Sequence, residues 1–146
     1  MDCPAFTLAL PSEPRMLSVA RTFVEAVCQA HRLERSLVHS LVLVTGEAFT
    51  NIIRHAHRDV PEAQLEICLE ILPDAITLTF QDEGAPFDLA AVPELAPGEL
   101  RIGGRGVYLM RTLMDELSCQ PRAGKSGNVL RMTKRLQPAQ PIQAAG

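Results

Sequence analysis

Tryptophan is absent from the 146 residues, tyrosine occurs once, and aromatic residues make up only 4% of the chain. A core must therefore be built from Leu, Val, Ile, Ala and Met rather than from aromatic clusters. Cysteine is also scarce: Cys3, Cys28, Cys68 and Cys119 are far apart and form no CxxC pair. That spacing excludes a zinc ribbon or a disulfide framework and fits a reducing cytoplasm. Neither sign of charge dominates, with 14 Lys and Arg against 17 Asp and Glu, a net charge of −3 and a pI near 5.8. A direct nucleic-acid binder, which needs a basic stripe, is excluded on that ground. No uninterrupted apolar run approaches the ~18 residues of a membrane span. The N-terminus also lacks a basic stretch followed by a long apolar one, so neither membrane insertion nor a signal peptide is expected.

What is present suits one soluble domain, expected over residues 1–137. The proline-containing end, 138–146, is expected to be a flexible tail. Residues 6–10 alternate weakly and stop at Pro11, the pattern of a first strand. Pro14 then opens a helix expected to run to His31, with Leu17, Ala20, Phe23, Val24 and Val27 at helical spacing. A second helix is expected from about Glu34 to Ala56 on the stripe Leu37, Val38, Leu41, Val44, Ala48, Ile52 and Ile53. Residues 64–71 and 75–80 alternate polar and apolar around Pro73 and Asp74, which predicts an antiparallel hairpin with one buried face. Gly and Pro accumulate from 82 to 106 without a period, as in a functional or mobile loop. A short helical stripe follows at Val107, Leu109, Met110, Leu113 and Met114, then two strands, 116–122 and 129–136, around a glycine turn at 123–127. Because the strands cluster, the expected class is α+β: a two-layer sandwich whose mixed, mainly antiparallel sheet carries helices on one face.

Three places in this pattern can carry chemistry. Glu47 and Asn51 are one helical turn apart and share a face. That pair reads either as the solvated stripe of an amphipathic helix or as a site, in which an Asn oxygen suits a hard cation such as Mg2+ and a carboxylate one turn away suits proton transfer. Asp82, with Gly84 two residues on, ends a strand pattern; it reads as a plain turn or as a place where backbone approaches a ligand closely. Gly103, Gly104, Arg105 and Gly106 precede a helix. They read as a linker or as an anion cradle of backbone N–H groups, the helix dipole and a guanidinium. The last segment matches neither the Walker pattern nor a dinucleotide fingerprint.

Singly these signals are modest, but their order along one chain is specific. Residues 45–56 (TGEAFTNIIRHA), 82–88 (DEGAPFD), 103–116 (GGRGVYLMRTLMDE) and 127–135 (GNVLRMTKR) resemble, in that order, the N box, the two glycine boxes and the closing strand of the GHKL ATPase superfamily. Within it they are similar to the small bacterial anti-sigma-factor serine kinases. The likeness extends almost to residue 136. It implies a GHKL (Bergerat) ATP-binding fold, ATP and Mg2+ as ligands, Asn51 as the metal ligand and Glu47 as the general base. Asp82 would accept from the adenine amino group and Gly84 would leave room for the base, next to Pro86 and Phe87. Residues 88–105 would be the ATP lid. Gly103, Gly104, Arg105, Gly106 and Val107 would meet the phosphates. The family places a threonine directly after the closing glycine, whereas this chain has Asn128; Asn128 or Thr133 would stand in for it. The implied partners are an anti-sigma-factor antagonist, phosphorylated on Ser or Thr, and a sigma factor, with homodimerisation in which the strand at 6–10 would take part. Two other readings compete: a non-catalytic module whose nucleotide only shapes a protein interface, and the catalytic fragment of a histidine kinase. The second ranks low, because the roughly 33 residues before the second helix are too few for a phosphoacceptor hairpin as well as a strand.

Overall fold

A computed structural model describes residues 5–56, 62–89 and 105–137, with Ala56 and Arg105 described by backbone alone. The expected tail at 138–146, most of the expected lid, and Gly103 and Gly104 lie outside the described residues.

Among the described residues the strands and α-helices follow in the order β1 (Ala5–Pro11), α1 (Leu17–Ala30), α2 (Arg35–Asn51), β2 (Gln64–Ile71), β3 (Ala75–Asp82), α3 (Arg105–Leu113), β4 (Glu116–Pro121) and β5 (Asn128–Arg135). The first helix starts as expected at Pro14, but its opening turn, Pro14–Met16, is a tighter 3-10 turn. The second runs through to Ala56, as its apolar stripe indicates, yet its last five residues, Ile52–Ala56, widen into a π-helical turn. Such turns occur preferentially beside functional sites.

The strands form one sheet in the order β1-β2-β3-β5-β4. Every pairing among them is antiparallel, the predominant sense expected for the sheet, and the described strands include no parallel pair. β1 lies at one edge, where Leu8 faces Ile67 and Leu10 faces Leu65. The alternation in the sequence becomes two faces. Leu65, Ile67 and Leu69 of β2, Ile76, Leu78 and Phe80 of β3, and Leu130 and Met132 of β5 are buried in one cluster with α1 and α2. The intervening Glu66, Arg131 and Ser118 are exposed on the uncovered face. Phe49 and Phe80 are the bulkiest fully buried side chains, each contributing roughly 1.5–3 kcal/mol by leaving water.

The two helices differ in how much of their surface they bury. α1 buries Ala20, Val24 and Cys28, spaced four apart, and leaves its other side to solvent. α2 buries Val38, Leu41, Val44, Thr45, Gly46, Ala48 and Phe49, most of its circumference. The continuous helix Arg35–His55 spans 21 residues, and its most apolar window has a mean hydropathy of 1.3. By length and average composition it is apolar enough to cross a bilayer, which a count of uninterrupted apolar residues does not register. Its packing accounts for the composition, since a helix covered by neighbours on several sides is apolar nearly all round. Buried Thr45 avoids an unsatisfied hydroxyl by donating to the Leu41 carbonyl at 2.7 Å. Among the described residues Cys28, Cys68 and Cys119 are free thiols.

Candidate nucleotide site

The site is built where the C-terminal half of α2, the end of β3, the start of β5 and the first turn of α3 come together. α2 supplies Glu47 and Asn51, both half-buried. Of the two readings open in the sequence, the solvated stripe does not describe them, because the start of α3 lies directly on this face. A Cβ placed on Gly106 would stand 2.9 Å from Glu47 Oε2 and 3.1 Å from Asn51 Nδ2. A side chain at 106 would push the Glu47 carboxylate and the Asn51 amide aside. The close approach also sets the first turn of α3, where a helix has backbone N–H groups without intrahelical partners, beside the two polar side chains.

Asp82 ends β3 as its last ladder residue, opposite Leu65 of β2 and Asn128 of β5. Its carboxylate is almost fully buried, at 2% exposure, and must therefore be satisfied internally. Oδ1 accepts from the Gly84 backbone N–H at 2.8 Å and from Asn128 Nδ2 at 3.0 Å. The Asp-x-Gly segment is thus the turn that its composition suggests, and it is also the wall of a recess. That recess encloses about 380 Å3 of non-atom space, part of it open solvent, and about 20 Å3 of it is open to the centre of a water-sized sphere. Asn51, His55, Asp82 and Asn128 border it, but the surface it exposes is almost wholly apolar, with Ile52, Met110 and Leu130 among the lining residues. His55, one turn beyond Asn51, and Phe87 close one side, with ring centroids 6.1 Å apart and an interplanar angle of 27°.

The residues singled out in the sequence are distributed as follows. Asn51, Asp82 and Phe87 line the recess, Gly84 is buried beside it, and Glu47 and Gly106 adjoin Asn51. Pro86 is exposed and does not line the recess, and the Val107 side chain joins the core. Only the backbone of Arg105 is described, opening α3. Cys119 also lines the recess, and no sequence motif marks it. The available signal was its inward position in the alternating strand β4, one residue from exposed Ser118. Among the described residues no group of three His, Cys, Asp or Glu side chains is placed to hold a metal by itself.

Two measurements follow from this packing. Burial, with smaller contributions from the Asp82 and Asp88 carboxylates, pushes the Cys119 thiol up to about 11. At pH 8 about one thiol in a thousand is ionised, so alkylation by iodoacetamide should run on the order of a hundredfold slower at Cys119 than at free cysteine. Peptide mass spectrometry should show the rate rising about tenfold per pH unit up to pH 10. Gly106→Ala should separate stability from function. Alanine adds up to about 1 kcal/mol of helix propensity, while its methyl displaces the Glu47 carboxylate and the Asn51 amide. Thermal unfolding should shift by no more than a few degrees while nucleotide affinity falls at least tenfold.

An antiparallel sheet backed by helices, with an Asn-bearing core helix, an Asp-x-Gly strand end and a glycine-led helix around one recess, is the arrangement expected of a nucleotide-binding ATPase domain. The family model described as the histidine kinase-like ATPase domain matches residues 10–134, and the chain belongs to that family. It is similar to the serine-protein kinase RsbW of Listeria innocua, 29% identical over 119 residues, 76% of this chain and 76% of that protein. It is also similar to the serine-protein kinases RsbW of Bacillus velezensis and Bacillus subtilis, each 28% identical over 137 residues, 88% of this chain and 84% of those proteins.

Proposed function

We propose that this protein is an ATP-dependent serine/threonine protein kinase that phosphorylates a small anti-sigma-factor antagonist and regulates a sigma factor by exchanging partners. The observation that carries the proposal is the convergence on one place of Glu47, Asn51, the glycine-led start of α3 and the buried Asp82 carboxylate. Family membership and similarity to serine-protein kinases support it.

Asp82 accepts a hydrogen bond from the exocyclic amino group of adenine, and Gly84, having no side chain, leaves space for the ring. The N–H groups of Gly103, Gly104 and Gly106, with the Arg105 guanidinium, meet the phosphates. Asn51 would hold Mg2+ through its amide oxygen, the kind of neutral hard ligand this ion takes. The donor set fits: Asn51 supplies a neutral oxygen with the Glu47 carboxylate one turn away, both beside Gly106. When bound, the ion neutralises charge on the β- and γ-phosphate oxygens. Glu47 takes the proton from the substrate Ser or Thr hydroxyl as that oxygen bonds to the γ-phosphorus. The bond from γ-phosphorus to the β,γ-bridging oxygen breaks, and ADP leaves. An enzyme with this role works in the cytoplasm, where ATP and sigma factors are found, and acts as a homodimer to which edge strand β1 contributes.

The test is incubation of the purified protein with γ-labelled ATP, Mg2+ and the cognate antagonist. Label on a Ser or Thr of the antagonist is expected. Tight ATP binding without transfer would leave a nucleotide-gated binding module, and no heat of binding with any adenine nucleotide would remove the nucleotide reading altogether.

A further inference from the structure

The recess that the proposed chemistry fills with a purine is nearly shut. About 20 Å3 of it is open to the centre of a water-sized sphere, room for water but not for two fused rings. By the same measure the groove on the far side of Leu89, lined also by Asp88, Arg111 and Asp115, offers about 520 Å3. Leu89 and Cys119 border both spaces. Several walls of the recess are fixed. Ile52, Met110 and Leu130 belong to the buried core, and Asp82 is held in the ladder of β3. Residues 86–88 belong to neither helix nor strand, and the side chains of Phe87 and Leu89 are only partly buried against the core. A segment so placed is the wall that yields most readily. Two hydrogen bonds tie it to the framework. The Phe87 N–H donates to Asn128 Oδ1 at 3.0 Å, and Arg111 Nη2 donates to the Leu89 carbonyl at 3.1 Å. Arg111 stands on α3 directly after Met110, which is 1% exposed, so its end of the bond is anchored in the core.

We infer that Arg111 is a positioning residue for nucleotide entry: its bond to the Leu89 carbonyl holds the wall at 87–89 across the place of the base, and the base enters only when that bond opens. The inference rests on the nucleotide-binding reading above. The bond is built to open. Arg111 is half-buried and lines the wide groove, so a guanidinium that leaves the carbonyl meets water there, and no charge is stranded in the core. A hydrogen bond from a charged donor biases such an equilibrium by about tenfold or more. A ligand that binds only the open form loses apparent affinity by the fraction of molecules that are closed. Arg111 therefore opposes binding, the reverse of a side chain that supports a site.

The experiment follows entry of ATP carrying a fluorescent group on its ribose, mixed rapidly with the wild-type protein, R111K and R111M in the presence of Mg2+, with ATP affinity measured by calorimetry. In the wild type the observed rate should level off at high nucleotide concentration, at the rate at which the wall opens. Methionine keeps an apolar stem and cannot donate. R111M should raise that plateau about tenfold and tighten apparent ATP affinity by about three- to tenfold, because more molecules are open beforehand. Lysine still donates, so R111K should stay within about threefold of the wild type. Weaker ATP binding by R111M, or an entry rate and affinity unchanged from the wild type, overturns the inference. If R111M does not fold by circular dichroism, R111A decides by the same signs. Failure of the underlying reading looks different: the wild type itself would give no heat of binding with ATP, and the inference would fall with it.

Discussion

Glu47→Gln is expected to lower the rate of phosphoryl transfer by about 10²–10⁴-fold, the usual contribution of a general base, while ATP affinity changes by less than about threefold. The replacement keeps the shape that packs beneath Gly106, where a Cβ would already stand 2.9 Å from Glu47 Oε2. It removes only the capacity to take a proton. Binding of the triphosphate depends on other groups in this reading: Asn51, the start of α3 and Asp82. Initial rates on the antagonist at saturating Mg·ATP, paired with calorimetry, separate the two effects. A rate within threefold of wild type would remove Glu47 from the chemistry. A parallel loss of affinity would mean instead that its charge helps to hold the ligand.

Gly127→Ala is expected to cost more than about 3 kcal/mol of folding free energy, a large part of the roughly 5–15 kcal/mol available to a domain. Gly127 has φ +122, and a Cβ there would sit 1.8 Å from the Asp82 carbonyl oxygen and 2.8 Å from Arg122 Cδ. The backbone strain alone is of order 1–3 kcal/mol. The overlap adds to it, since the obstructing atom belongs to the central strand β3 and cannot swing aside. Relief requires the start of β5 to move, and Asn128 moves with it, so nucleotide affinity should fall together with stability. Gly124→Ala in the same turn is the control. Its φ is +68 and no atom lies within 4 Å of the added methyl, so about 1–2 kcal/mol is expected. Urea titrations of the two variants should differ clearly in midpoint; equal losses would show that conformation, not the close approach to β3, governs the position.

Much of the local structure could be read from residue order. Leu65, Ile67 and Leu69 alternate with Gln64, Glu66 and Cys68, and Ile76, Leu78 and Phe80 follow suit, because a strand turns successive side chains to opposite faces. These are the residues found in the core. The ends of elements were less legible. The alternation was legible only to Phe80, whereas β3 continues to Asp82, its last ladder residue, because Asn128 pairs with it from a strand 46 residues later. Hydropathy spacing likewise carries the second helix to Ala56 without revealing its widened last turn, since an extra residue per turn depends on what packs against it.

The candidate site divides in the same way. Glu47 and Asn51 fall on one helix face by spacing alone, and the Asp-x-Gly and glycine-led segments announce turns by composition. Whether these residues faced solvent or one another was not contained in any window, and neither was the strand order β1-β2-β3-β5-β4 that places β5 beside β3. Cys119 and Asn128 become part of the recess only through that order. The sequence by itself determined the periodic elements, the buried face of each and the glycines that lead α3, because these rest on interactions between near neighbours and on the lack of a side chain. Only the tertiary structure decided that Asp82 is buried and held by Asn128, and that Gly106 meets Glu47 and Asn51, because a contact between distant segments exists only once the sheet has brought them together.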